Sequence, residues 1–439
     1  MIMSATPSDL SGEIPVADPF SIFLAAHAQA AGSCLAKKRF NGGEHAWLGG
    51  CGAEVAVSRL ARQNIGIDPD LFKAIRRKDD RESMQYGELV ALSGDFYESP
   101  EALFEERPSP LPWLWESNDL SDIRSLFAKE LRWIDQRLAR TDPEAAPYPD
   151  ANIRLAWNAK SYVELALRNV DHFGWHNQLA YVRHHRAALE LALQAKGPDD
   201  VRLRQALYTN AFADHFLTDG FAAGHIRVPR LEICEWADGL GLDARVAGAL
   251  SKVLHDQDGH ADLLSLHGEA EPHSSDQGVP HRHGLGLPVV NATDVRWETF
   301  CDGQLFLNRS ERDPAVQQAV EAVADSVEEL LLAWRHHQLP DGRYRATSRV
   351  PWPAPQEPTL IEKFSARMAD EDLERLWGSV AWYGRISWLS GLKREHLSQL
   401  FNALPDLMAA FRRNVDRQSR SPDAALLDPR YVEGMRHVA

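Results

Sequence analysis

A mainly α-helical protein, a multi-helix bundle with few short strands, follows from three features of this chain. Apolar residues recur at helical spacing through most of it, strand-like alternation is scarce, and one helical stretch carries ionisable residues on the face it buries. Six segments show the helical period: Ile123 to Arg140, Asn158 to Arg168, Asn177 to Ala195, Val201 to Asp219, Asp243 to Leu254 and Pro314 to His337. Near the start, Phe20 to Ala31 is apolar but broken by His27 and Gln29, and reads as a helix packed on the core. Short strands are expected at Leu287 to Val290 and Trp297 to Phe300. Proline clusters at 108–112, 143–149 and 351–358 mark connections, the last being the best linker candidate. The expected division is a main domain over 1–350 and a C-terminal helical extension over 351–439. In that extension Leu360 to Met435 is again helical, with Trp377, Trp382, Trp388 and Phe401 as packing residues.

Composition narrows the function. The chain has 439 residues, 44% hydrophobic, enough for one large domain or two ordinary ones with a real core. A formal net charge of −15 argues against duplex nucleic acid as a partner, because phosphate-binding surfaces need clustered Lys and Arg. A phosphoester held by metal ions remains compatible, since the ions dominate the local charge. Cys34, Cys51, Cys234 and Cys301 form no CxxC pair, which disfavours a zinc ribbon or a thioredoxin-type site. No apolar run approaches a transmembrane span. The N-terminal stretch has Asp9, Glu13 and Asp18 and no basic residue before Lys37. A standard cleaved signal is therefore not expected, and export would use another route, such as delivery as an effector; otherwise the protein is cytoplasmic.

The most informative segment runs from Tyr208 to His225. His215 and Asp219 stand four residues apart, so they project from one helix face, and Tyr208 and Phe212 extend the same stripe. Gly220 and Gly224 end the helix before His225 and let it turn inward. A carboxylate on a buried face is costly without a cation or hydrogen bonds to compensate it. HxxxD alone is a common chance match, but its extension to His225 and its buried placement favour a metal site. Further candidates flank it: His45 in Glu44–Trp47, Asp95 after the apolar run Tyr86–Gly94, His172 with His176 one turn on, and His255 with Asp256 and Asp258. Individually each has a plain structural explanation: a cap or turn for Asp95, a hydrogen-bonded core imidazole for His172, solvated loop acids for Asp256 and Asp258. The polar loop Gly268–Gly286, with His273, His281 and His283, reads as surface.

Taken in order, Asp95, His172, His215-x-x-x-Asp219, His225 and His255 with a nearby acid resemble the zinc-dependent phospholipase C and P1/S1 nuclease superfamily. The resemblance covers roughly 94–258, and the stretch Gly220–Arg230 followed by His255–Gly259 is most similar to a bacterial phospholipase C branch. It implies two or three Zn2+ ions. Asp95, His172, His215 and Asp219 would hold one, and His225 and His255 with Asp258 a second. Asp219 would bridge to a third, to which His45 could contribute. Asp95 is also the candidate proton acceptor. The acid that relatives place four residues after the second-zinc histidine is Gly259 here, which is why Asp258 is preferred, with Asp256 as the alternative. The chain also begins Met1-Ile2-Met3, without the N-terminal tryptophan that serves the third zinc in the family.

The chemistry suits these ligands. Zinc takes imidazole nitrogen and carboxylate oxygen, leaves a position for water in catalytic sites, and lowers that water's pKa towards about 7. The leading expectation is a phospholipase C cleaving the glycerol-side phosphodiester of phospholipids, with a phospholipid or membrane surface as partner. Phe96, Tyr97, Trp113, Trp115 and Trp175 are candidate lipid contacts, although core packing suits most of them better. Asp171 and Asp214 are candidates for orienting the histidines. The alternatives are a P1/S1-like nuclease or 3'-nucleotidase, and a metal-stabilised interaction protein without enzymatic activity.

Overall fold

The computed structural model describes residues 42–80, 82–105, 120–139, 165, 169–258, 286–301, 305–306, 312–365, 373–374, 376–377 and 391–438. The apolar stretch at 20–31, all but residue 165 of the helix expected over 158–168, most of the histidine loop at 268–286, Cys34, Trp113, Trp115, Trp382 and Trp388 lie outside these residues.

Helices dominate, as the apolar periodicity requires. In chain order they begin with α1 (Gly42–Arg62), α2 (Tyr86–Leu92), α3 (Pro100–Glu105), α4 (Leu120–Leu138) and α5 (Gly174–Gln194). Next come α6 (Val201–Asp219), α7 (Ala223–Ile226), α8 (Arg230–Gly239), α9 (Ala244–Gln257) and α10 (Pro314–His336). The series closes with α11 (Leu360–Ser365), α12 (Arg394–Gln418) and α13 (Pro429–Arg436). Two strands, β1 (Ile75–Arg76) and β2 (Ser83–Met84), form a small antiparallel pair. Three others, β3 (Leu287–Val290), β4 (Arg296–Thr299) and β5 (Trp352–Pro353), form an antiparallel sheet in the order β4-β3-β5. Its register sets Val289 opposite Trp297 and Val290 opposite Trp352.

Local chemistry sets the helix starts. Asp200, Asp243, Asp313 and Asp428 each accept a hydrogen bond from the backbone N–H two residues on, capping α6, α9, α10 and α13. Proline occupies the first turn of α10 and α13, where its missing N–H is harmless. The Glu88 carboxylate accepts from the Gln85 N–H at 2.8 Å and secures the start of α2.

The bundle is built around α6, which packs on α5, α10, α2, α3 and α1. Every residue from Ala206 to Asp219 is buried, so the amphipathic stripe expected from the sequence is only part of a helix buried on all sides. Residues beyond 350 share this core. Phe411 of α12 packs against Gly174, Trp175 stacks on Tyr431, and β5 is hydrogen-bonded to β3. Leu360, Phe364, Leu404 and Met435 belong to the same apolar cluster as α6. Phe96, Tyr97 and Trp175 are core residues too, which removes them as lipid contacts. Among the described residues no helix is long and apolar enough to cross a membrane.

Candidate metal centre

Five elements deliver the site. α6 supplies His215 and Asp219 one turn apart and ends at Gly220. His45 lies in the first turn of α1, whose Gly43 N–H donates to the Glu130 carboxylate of α4 at 2.6 Å. Asp95 follows α2 after Gly94. His172 closes a short 3-10 turn, Val170–His172, just before α5. His225 sits in α7, held from both sides: the Ala223 N–H donates to the Phe300 carbonyl, and the Thr299 hydroxyl donates to the Phe221 carbonyl.

These residues converge on Asp219. Its carboxylate lies 2.8 Å from His172 Nδ1, 3.5 Å from His45 Nε2, 3.8 Å from His215 Nε2 and 4.0 Å from His225 Nδ1. Two overlapping donor sets result, His45–His215–Asp219 and Asp95–His172–His215, each with its donor atoms within 4.8 Å of one another. All of these residues are buried except Asp95, which is partly exposed. Buried His and Asp groups in this arrangement can hold a metal ion.

Hydrogen bonds decide which ring nitrogen is left to bind. His215 Nδ1 donates to the Val90 carbonyl at 3.0 Å, so Nε2 carries the lone pair facing Asp219. The Thr218 hydroxyl proton is directed to the α6 carbonyls of Asp214 and His215, so its oxygen accepts from His45 Nδ1 at 2.7 Å and again leaves Nε2 as the lone pair. His225 Nδ1 donates to the His172 carbonyl at 2.7 Å. Outer hydrogen bonds of this kind fix tautomer and ring direction in metal-binding histidines.

The charge pattern suits a cation. Burial opposes ionisation of Asp219, but the imidazoles around it, His225 and His172 foremost, outweigh it and hold the carboxyl well below its usual range. Burial and the neighbouring His45 hold His215 far below an ordinary histidine, keeping it neutral. Burial also opposes a charge on His172, yet Asp219 and Asp95 raise its pKa above the ordinary value. A buried imidazole that gains proton affinity reports a negative local field, the field a metal ion requires.

Gly94 makes the convergence possible. Its φ of +71° is costly for other residues, and a Cβ there would lie 2.7 Å from His215 Cδ2 and 3.0 Å from His172 Cε1. Gly224 does the same for the other side, where a Cβ would meet the His255 ring at 2.4 Å.

Several expected residues stand elsewhere. His255 meets the His225 ring edge-on, with centroids 4.9 Å apart, rather than joining either donor set. His45 shares a donor set with Asp219, as expected, and with His215. Asp258, expected as a ligand beside His255, does not turn to the histidines. Its oxygens accept from Arg227 Nε and Nη2 at 2.7 and 2.8 Å and from Lys363 Nζ at 2.9 Å, since a buried guanidinium demands a counter-charge. Asp171 is exposed, and the Asp214 carboxylate faces Tyr86 and Asn210. Burial pushes the Asp214 pKa up to about 7. The groups that orient the rings are instead Thr218 and the carbonyls of Val90 and His172. Thr218, three residues after His215, had a sequence signal; the carbonyls have none.

The buried Asp258 pair implies a pH dependence. Burial works against the charge on Asp258, but Arg227 and Lys363 hold its carboxyl well below the usual range. A depressed carboxyl contributes stability above the ordinary carboxylate pKa of about 4 and loses it as pH falls through that range. Asp258→Asn should therefore cost roughly 3–5 kcal/mol near neutral pH, the usual effect of breaking a buried ion pair. The gap from wild type, read from urea melts, should narrow below about pH 4. A gap that widens on acidification contradicts the assignment.

Comparisons of the chain with protein families, curated proteins and solved structures returned no match, so the site stands on its own geometry.

Proposed function

We propose that this protein is a zinc-dependent phosphodiester hydrolase of the phospholipase C type. The observation that carries the reading is the single buried carboxylate of Asp219 with nitrogens of four imidazoles within 4.0 Å. The ion would be held by His45, His215 and Asp219, or by Asp95 and His172 with the same His215, because His215 has one free lone pair, at Nε2, and serves one ion at a time. Zinc, when bound, supplies Lewis-acid polarisation of a phosphoryl oxygen and lowers the pKa of water.

The chain's own residues do the rest. Val90, Thr218 and the His172 carbonyl hold the rings of His215, His45 and His225 in register. Burial of the imidazoles keeps bulk water from screening Asp219. Asp95, the partly exposed member, would accept a proton and release it to solvent, which makes it the candidate proton acceptor. Its exposure also favours an open catalytic centre over a closed structural one. The chain's net charge of −15 favours a phospholipid at a membrane surface over a long polynucleotide.

The test is hydrolysis of phosphatidylcholine vesicles and of single-stranded DNA by the purified chain, before and after chelation and after zinc is restored. Headgroup release that disappears on chelation and returns with zinc is the expected result. Zinc-dependent DNA cleavage without headgroup release would select the nuclease instead. Zinc binding with neither activity would favour the non-enzymatic reading.

A further inference from the structure

Arg227, Asp258, Glu357 and Lys363 form a ring of alternating charge, its first two members buried and the other two partly exposed, that the proposed chemistry does not use. Arg227 binds both oxygens of Asp258, and its Nη2 also reaches Glu357 at 3.3 Å. Arg227 Nη1 donates to the Pro358 carbonyl at 2.8 Å. Lys363 donates to Asp258 at 2.9 Å and lies 4.0 Å from Glu357. Arg227 and Asp258 are 1% and 0% exposed, so both charges are fully withdrawn from water.

Such a group is a poor source of stability. Desolvating the charges costs about as much as their attraction returns, and an apolar replacement is often as stable. What it supplies is geometry, and its position shows which geometry. Arg227 is two residues after His225, and Asp258 is three after His255. The Arg227–Asp258 pair therefore ties the α7 segment to the end of α9, where the two rings meet at 4.9 Å. The Cys301 thiol, facing the carbonyls of His255 and Asp258, holds the same helix end. Glu357, inside the proline cluster at 351–358, and Lys363, just after it, close the ring.

We propose that Lys363 and Glu357 are positioning residues for the metal centre: through Arg227 and Asp258, the C-terminal segment sets the placement of His225, whose Nδ1 holds the carbonyl of the candidate ligand His172. The inference rests on the metal reading given above. It makes the region after 350 a working part of the centre rather than an appendage.

The test is zinc titration of the metal-depleted full chain against a chromogenic chelator, beside thermal melts of the metal-free protein. Lys363→Met should weaken zinc binding by roughly tenfold to 100-fold, the range seen when residues that orient metal ligands are lost. The metal-free melting temperature should fall less than in Asp258→Asn, since Arg227 still pairs with Asp258, and Lys363→Arg should restore the affinity. Zinc binding by Lys363→Met equal to wild type overturns the proposal, as does failure of Lys363→Arg to restore it. Should Lys363→Met not fold, Glu357→Gln gives the reading: weakened zinc binding supports the proposal and unchanged binding overturns it. A wild-type chain that takes up no zinc overturns the metal reading itself, and this inference with it.

Discussion

Asp219→Asn should lower zinc affinity by at least roughly 100-fold, above the range typical of residues that only orient a ligand. The two side chains have nearly the same shape, so packing on α6 is kept and only the charge is removed. The same change should be visible without metal. Asp219 is the strongest influence raising the His172 pKa against burial, so its neutralisation should let burial prevail and bring His172 down. Histidine titration by NMR on the metal-free variant reads this directly. A His172 that titrates as in wild type would show that the carboxylate does not set the field of the cluster.

Gly94→Ala carries the second large effect. A left-handed backbone costs other residues about 1–2 kcal/mol, and crowding a packed interior adds about 1–3 kcal/mol. The new Cβ would stand 2.8 Å from His215 Nε2, the nitrogen that faces Asp219. The expected result is a loss of about 2–5 kcal/mol in denaturant melts together with much weaker zinc binding. Gly197→Ala is the control, because nothing lies within 4 Å of a Cβ there and its φ is not positive. Gly94→Ala with the stability and zinc affinity of the control would mean that the rings do not need this close backbone approach.

The helices were legible because their signals are local. The apolar period and a glycine stop bound Val201–Asp219, and Leu287–Val290 stands out as a short strand candidate. The mainly α-helical fold with few short strands is what the structure has. His215 and Asp219 were readable together because helical spacing alone places them on one face. The approach of His45, some 170 positions away in sequence, depends on how α1 packs, and no local pattern encodes that. Asp258 misled for a related reason. Its position beside His255 suggested a ligand, but the charges that claim it come from Arg227 and from Lys363, far along the chain. The C-terminal region looked separable because prolines precede it, whereas Phe411, Tyr431 and Trp352 belong to the common core.

The central claim is that the Asp219 cluster holds metal. The most direct measurement is elemental analysis of the purified chain after equilibration with zinc and exhaustive dialysis, with Asp219→Asn treated alongside. At least one zinc ion per wild-type chain, and markedly less in the variant, is the result this account predicts. Wild-type protein that retains only trace metal, or a variant that retains as much as wild type, would contradict it.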